Sequence, residues 1–198
     1  MEFINWTKPD LTQAISNQVN DIKFQINSSQ PSSDLIFVDI DHLSVKKFGR
    51  WPWPRDKFAE LLEHLGQSRV VALDIVFSEP TSDDNDLADA MEAVPLVQGV
   101  IVNNQLKQLT PINEEQQSIL LDSALHELNI NLIHANTLDF AVLPLLEAAT
   151  LNGSISTFSY SDGLFRQYPL GFEVNGSYLP ALSLQVYTYI GKYQSNIS

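Results

Sequence analysis

Leu35–Phe77 reads LIFVDIDHLSVKKFGRWPWPRDKFAELLEHLGQSRVVALDIVF, and its punctuation decides the fold. Leu35 to Ile40 is apolar enough for a central strand. Pro54 stands where a helix begins, and Phe58, Leu61, Leu62 and Leu65 follow at i, i+3, i+4 and i+7 before Gly66 stops the helix. Val70 to Phe77 is then a second buried strand. Downstream, Asp83 or Asp84 caps a short helix carrying Leu87, Ala90, Met91 and Val94, and Leu96 to Val102 reads as a third strand. Strand, helix, strand, helix, strand at this spacing predicts parallel βαβ units. The expected fold class is α/β: a three-layer sandwich with a mixed, largely parallel central sheet and an antiparallel strand set at one edge.

Working toward the N-terminus, Leu11, Ile15, Val19, Ile22 and Ile26 form a helical stripe, with Thr7, Pro9 and Asp10 as its start. The helix leads into a linker-like NSSQPSSD. Such a narrow stripe faces either its own domain or a second copy. Toward the C-terminus, Asn103–Thr110 reads as a loop, and Asn113 with Gln116 as a capping box opening a helix through Leu128. Ile130–Ala135 is a short strand, and Pro144 starts a short helix through Ala149. Asn152-Gly153 and Asn175-Gly176 are turn dipeptides. Ile155–Phe158, Leu164–Glu173 and Ser177–Leu179 make the edge strands. Leu182, Val186 and Ile190 give a last helix one apolar face. The expected division is residues 1–30 as helix and linker, 31–192 as the main domain and 193–198 as a tail.

Composition narrows the function. The 198 residues suffice for one full core, and 44% of them are apolar. The formal charge of −13 repels phosphate backbones, so no nucleic-acid partner is expected. Without cysteine there are no disulfides, zinc–thiolate sites or thiol catalysis. No 18-residue apolar run and no signal-peptide pattern is present, so a role outside the cytoplasm implies a domain taken from a longer protein. His42, His64, His126 and His134 show no HExxH spacing, and there is no GxSxG, P-loop or GxGxxG. Asp83-Asp84-Asn85-Asp86 lacks the EF-hand pattern, and helix capping explains it better than calcium.

Three constellations remain. Asp39 and Asp41 end the first strand, where open α/β sheets place ligands. A strand ending in Asp-x-Asp resembles the first motif of haloacid-dehalogenase-type phosphotransferases, which implies a magnesium-dependent reaction with Asp39 as nucleophile and Asp41 as acid/base. The motif departs from that family at His42 and Leu43, where Gly and Thr are usual. Second, Trp51-Pro52-Trp53-Pro54-Arg55 splays two indoles on a stiff backbone. It forms either an aromatic wall for a ligand or a plug for one end of the sheet. Arg55 falls in the first helical turn, where the dipole opposes a cation, so a carboxylate is expected beside it. Asp39, Asp41 and Asp74 are the candidates, and pairing with Asp74, inside the apolar run VVALDIVF, would resolve two awkward placements at once. Third, Asp162-Gly163 with Arg166 reads as a hairpin turn with a cross-strand ion pair.

Together, VDIDHLSVKKFGRWPWPR, VVALDIVFSEPTSDDNDLADAM and SDGLFRQYPLGFEVNGSYLPALSL resemble the CHASE2 domain, an extracytoplasmic sensory module of bacterial signalling receptors. The carriers are Gly49 to Arg55, Asp74 to Phe77, and Asp162 to Arg166, with departures at Tyr160 and Gln167. The resemblance implies a periplasmic, non-catalytic sensor domain without a cofactor, membrane-tethered in a full-length protein. Its output would be a histidine kinase, nucleotide cyclase or diguanylate cyclase/phosphodiesterase. A small-molecule or ionic stimulus is expected, and a homodimer formed through the Leu11–Ile26 stripe. Asp39, Asp41, Trp51, Trp53, Arg55, Asp74, Asp162 and Arg166 are the candidate junction. The phosphotransferase and a purely structural dimerisation module stand as alternatives.

Overall fold

The computed structural model describes residues 9–26, 32–103, 112, 114–122, 132–135, 137–158, 165, 168–174 and 176–194. The chain divides into two compact units, Met1–Gly49 with Phe158–Gln167, and Arg50–Thr157 with Tyr168–Ser198.

The first unit holds helices α1 (Pro9–Ile26) and α2 (His42–Phe48). The stripe on α1 is solvent-facing: Ile15, Val19, Ile22 and Ile26 are 45–77% exposed. The side chain of Leu11 lies outside the described residues. The strand expected at Leu35–Ile40 does not form. Leu35, Ile36, Phe37 and Val38 are 59–86% exposed, and no ladder among the described residues includes them. Strand composition is therefore present without the partner that a strand requires. Helix α2, which sequence reading missed, is specified by Asp41. Its Oδ1 accepts the Ser44 backbone N–H and the Ser44 hydroxyl, both at 2.8 Å, an N-cap that satisfies an orphan donor of the first turn. Those bonds to Ser44 hold the Asp41 carboxyl below its ordinary value. Gly49 closes the helix at φ 96°, a left-handed backbone that disfavours any side chain.

The second unit is an α/β sandwich. Its elements are α3 (Arg55–His64), β1 (Val71–Leu73), α4 (Asp84–Glu92), β2 (Leu96–Asn103), α5 (Glu114–Asp122), β3 (Ile133–His134), β4 (Thr137–Asp139), α6 (Leu143–Ala148), β5 (Leu151–Ser154), β6 (Gly171–Val174), β7 (Ser177–Pro180) and α7 (Leu182–Gln194). Strand β2 is central. It pairs in parallel with β1 and β5 and, through its far half, antiparallel with β4. Strands β3, β6 and β7 form a second sheet, parallel at β3–β6 and antiparallel at the β6–β7 hairpin. A bridge from Ser154 to Ala181 joins the two sets. Leu96, Val97 and Val100 of β2 are fully buried, as a strand covered on both faces requires. Helix α4 packs against both α3 and α6, burying Leu87, Met91, Leu145 and Leu146 completely.

Several elements differ from the expectations. The ladder of β1 stops at Leu73, because the Gln98 side-chain amide donates to the Ile75 carbonyl that a longer strand would have offered to the backbone. Asn152-Gly153 is no turn: it lies inside β5. A Cβ on Gly153 would sit 2.7 Å from the Leu182 Cα, so the glycine serves the close approach of α7. Ile155–Phe158 carries no strand, and β4 was not anticipated. The Asn103–Thr110 loop beyond Asn103, the Asn113 cap and the helix beyond Asp122 lie outside the described residues.

Substituting Gly153→Ala should force α7 off the sheet, costing about 1–3 kcal/mol in urea denaturation. An unchanged midpoint would show that the approach is looser than described.

Candidate functional site

Trp51-Pro52-Trp53-Pro54 leads into α3, with the Trp51–Pro52 bond cis. Prolines hold both tryptophans off the helical conformation, and Pro54 then occupies the N-cap position. The two indoles do not splay apart. Their centroids lie 6.2 Å apart at 55°, and Trp51 meets Phe58 edge-on at 5.7 Å. Phe58 in turn packs edge-on against Phe77 at 5.0 Å. The result is an aromatic file from the surface, where Trp51 is 46% exposed, to the buried Phe77. Each such contact adds about 0.5–1.5 kcal/mol beyond simple burial.

At the inner end sits Arg55, whose guanidinium lies 4.4 Å over the Phe77 ring. Its Nε donates to Asp84 Oδ1 at 2.8 Å, and Nη2 donates to the Glu79 carbonyl at 2.8 Å. Asp84 also accepts the Thr81 N–H on Oδ2 at 2.7 Å and the Thr81 hydroxyl on Oδ1 at 3.0 Å. Both charged side chains are only 8% exposed. Burial pushes the Asp84 carboxyl up, but the bonds from Arg55 and Thr81 outweigh it, and the carboxyl rests below its ordinary value. One ion pair thus joins the first residue of α3, the first residue of α4 and the loop after β1. The cation that the α3 dipole disfavours is offset by an anion that the α4 dipole favours.

The carboxylate expected beside Arg55 is therefore present, but it is Asp84 and not Asp74. Asp74 is exposed, on the face that Ala72 exposes two residues earlier, alternating with buried Val71 and Leu73. Asp83 occupies the N-cap position of α4 without a side-chain cap bond, so the acidic cluster is explained by the ion pair rather than by capping. Trp51, Trp53 and Arg55 belong to one constellation. Asp39 is exposed and Asp41 caps α2, each within the first unit. Asp162 and Arg166 lie outside the described residues. His134, read as a packing or surface group, bonds through Nδ1 to Glu173 Oε2 at 2.8 Å across β3–β6. That bond and the Gly176 N–H hold the Glu173 carboxyl below its usual range. The missed partners, Thr81 and Asp84, stand in a Thr-x-x-Asp spacing that marks a local side-chain-to-backbone bond.

Chemically, the junction is a satisfied lock. Its donors and acceptors face one another, and no cluster of three metal-ligating side chains occurs among the described residues. The strand that the phosphotransferase reading requires is not formed, and Asp41 is committed to Ser44. Against known families, the CHASE2 domain model matches residues 3–198. The chain belongs to the CHASE2 family. CHASE2 domains are extracytoplasmic sensory modules, generally non-catalytic. No curated protein and no solved structure gives a match to this CHASE2 chain. Among the described residues, no helix is long and apolar enough to cross a membrane.

Asp84→Asn should cost about 3–5 kcal/mol, since it strands a buried guanidinium, whereas Asp74→Asn should change stability by less than about 0.5 kcal/mol. The Asp84 carboxyl is depressed in the fold, so its contribution is present above the unfolded value of about 3.9 and is lost as pH falls through the lower folded value. Denaturant titrations should thus show a constant gap between wild type and Asp84→Asn down to about pH 4, shrinking below it. A gap that widened in acid would contradict the pairing.

Proposed function

We propose that this CHASE2 domain is the periplasmic sensor of a bacterial transmembrane receptor, with no catalysis of its own. It relays a small-molecule or ionic stimulus to a cytoplasmic histidine kinase, nucleotide cyclase or diguanylate cyclase/phosphodiesterase. Family membership across residues 3–198 carries this reading. The absence of cysteine and the acidic surface agree with it. In this reading residues 1–30 are the juxtamembrane helix and linker, 31–192 the sensor domain and 193–198 the tail. A reporter fused after Ile190 in the full-length receptor should be active when it is an enzyme that matures only in the periplasm, and silent when it is one that fluoresces only in the cytoplasm. The opposite pattern removes the sensor reading.

The relay runs through a homodimer in which α1 pairs with α1 of a second copy. Ile15, Val19, Ile22 and Ile26 are spaced by four, three and four residues, the alternation that keeps a seam between two helices, and they are exposed on the isolated chain. Differential stability of two dimer arrangements is what a bound stimulus would bias. Replacing Ile15 and Ile22 by Lys should weaken self-association at least tenfold in sedimentation equilibrium. Equal association constants would place the dimer contact elsewhere.

A further inference from the structure

Local hydrogen bonds close both ends of the Leu35–Ile40 segment and leave its middle open. Before it, the Asp34 N–H donates to the Ser32 hydroxyl at 3.2 Å. After it, Asp41 caps α2 through Ser44. Among the described residues, no ladder and no backbone hydrogen bond includes any residue from Leu35 to Ile40, although the segment has the usual length of a strand. Leu35, Ile36, Phe37 and Val38 stand open to water, Phe37 the most at 86%. A contiguous apolar run of this kind on a folded unit marks an interaction surface. The α1 stripe, in the same compact unit, is open to water as well.

The charges around the run fit a second copy of itself, in one orientation. Asp34 and Asp39 flank the four apolar residues, and like charges directly opposite each other destabilise a strand pair. Parallel, in-register pairing of two copies sets Asp34 against Asp34 and Asp39 against Asp39. Antiparallel pairing centred between Ile36 and Phe37 sets Asp34 against Asp39, and centring between Phe37 and Val38 sets Asp34 against Asp41. Centring on Phe37 opposes no two carboxylates: Leu35 meets Asp39, Ile36 meets Val38, and Phe37 meets its own counterpart. A two-stranded ribbon alone is marginal in water. The same partner that covers the run must therefore also cover the α1 stripe, and one twofold axis serves both contacts.

We infer that Leu35–Ile40 pairs antiparallel with the same segment of a second copy, across a twofold axis at Phe37, and so adds a β-ribbon to the α1 seam. The backbone groups that lack a ladder in the single chain gain one, and the exposed aliphatic side chains and the two Phe37 rings gain cross-strand neighbours. The inference rests on the homodimer reading and deepens it, by naming a second contact and its register.

The chain has no cysteine, so a single introduced thiol reports one position. The test is diamide oxidation of the 198-residue chain carrying Phe37→Cys, Leu35→Cys or Asp39→Cys, read on non-reducing gels beside sedimentation equilibrium of the wild type. Opposed residues of an antiparallel pair have Cα atoms about 4.5–5.5 Å apart, within disulfide reach. Phe37→Cys should thus yield about tenfold more disulfide dimer than Leu35→Cys, whose two copies would lie about 13 Å apart. Leu35→Cys mixed with Asp39→Cys should cross-link where neither does so alone. Equal product from all three single variants would signal parallel pairing or random collision, and would overturn the inference. A wild-type dimer with no Phe37→Cys product would overturn it too, by showing that something other than a second copy covers the segment, and would leave the α1 seam standing. A wild type that sediments as a monomer would overturn both this inference and the homodimer reading, with the membrane-topology result for the sensor reading untouched.

Discussion

A buried arginine must be paid for, and Asp84 is what makes Arg55 tolerable. The guanidinium is dry, lies over the Phe77 ring, and has a carboxylate and a carbonyl as its acceptors. Because Arg55 opens α3 and Asp84 opens α4, the pair sets the position of two helix starts and of the loop between them with one interaction. The aromatic file Trp51–Phe58–Phe77 then screens that charge from solvent. Loss of either ion leaves the other uncompensated, and removal of the rings admits water to both.

The same constraint orders the sheet. Between Leu73 and Asp84 the chain leaves β1, gives its Ile75 carbonyl to Gln98, its Glu79 carbonyl to Arg55 and its Thr81 N–H to Asp84. Three backbone groups that a strand or helix would have satisfied are thus met by side chains. On the opposite side of β5, Gly153 lets α7 close on the sheet without a Cβ between them. Helices and strands are held by specific polar contacts at one end and by close backbone approach at the other.

Much of this was legible in the residues. The α/β class followed from apolar runs alternating with a 3.6-residue period, and α3, α4, β2 and α7 fall where that pattern puts them. A cation in the first turn of α3 demanded a carboxylate, and one is there. Its identity was not legible, because Asp39, Asp41 and Asp74 were the candidates, while Asp84 lies 29 residues beyond Arg55 and reaches it only through the fold. Strand alternation puts Asp74 on the exposed face with Ala72, away from the buried guanidinium. Asn-Gly at 152–153 carries the local spelling of a turn, yet the approach of α7 through Leu182 dictates a strand. Leu35–Ile40 has strand composition, but composition cannot supply a partner. Helix α2 was hidden by the conspicuous motif around it, although the Asp41-to-Ser44 spacing was its capping signal.

The pairing of Arg55 with Asp84 ties the start of α3 to the start of α4. The most direct measurement is a pair of double-mutant cycles in urea, Arg55→Met with Asp84→Leu and Arg55→Met with Asp74→Leu. A coupling of roughly 2–3 kcal/mol is predicted in the first cycle, with additivity to within about 0.5 kcal/mol in the second. Additivity in the first cycle, or coupling that appears only with Asp74, would contradict the account.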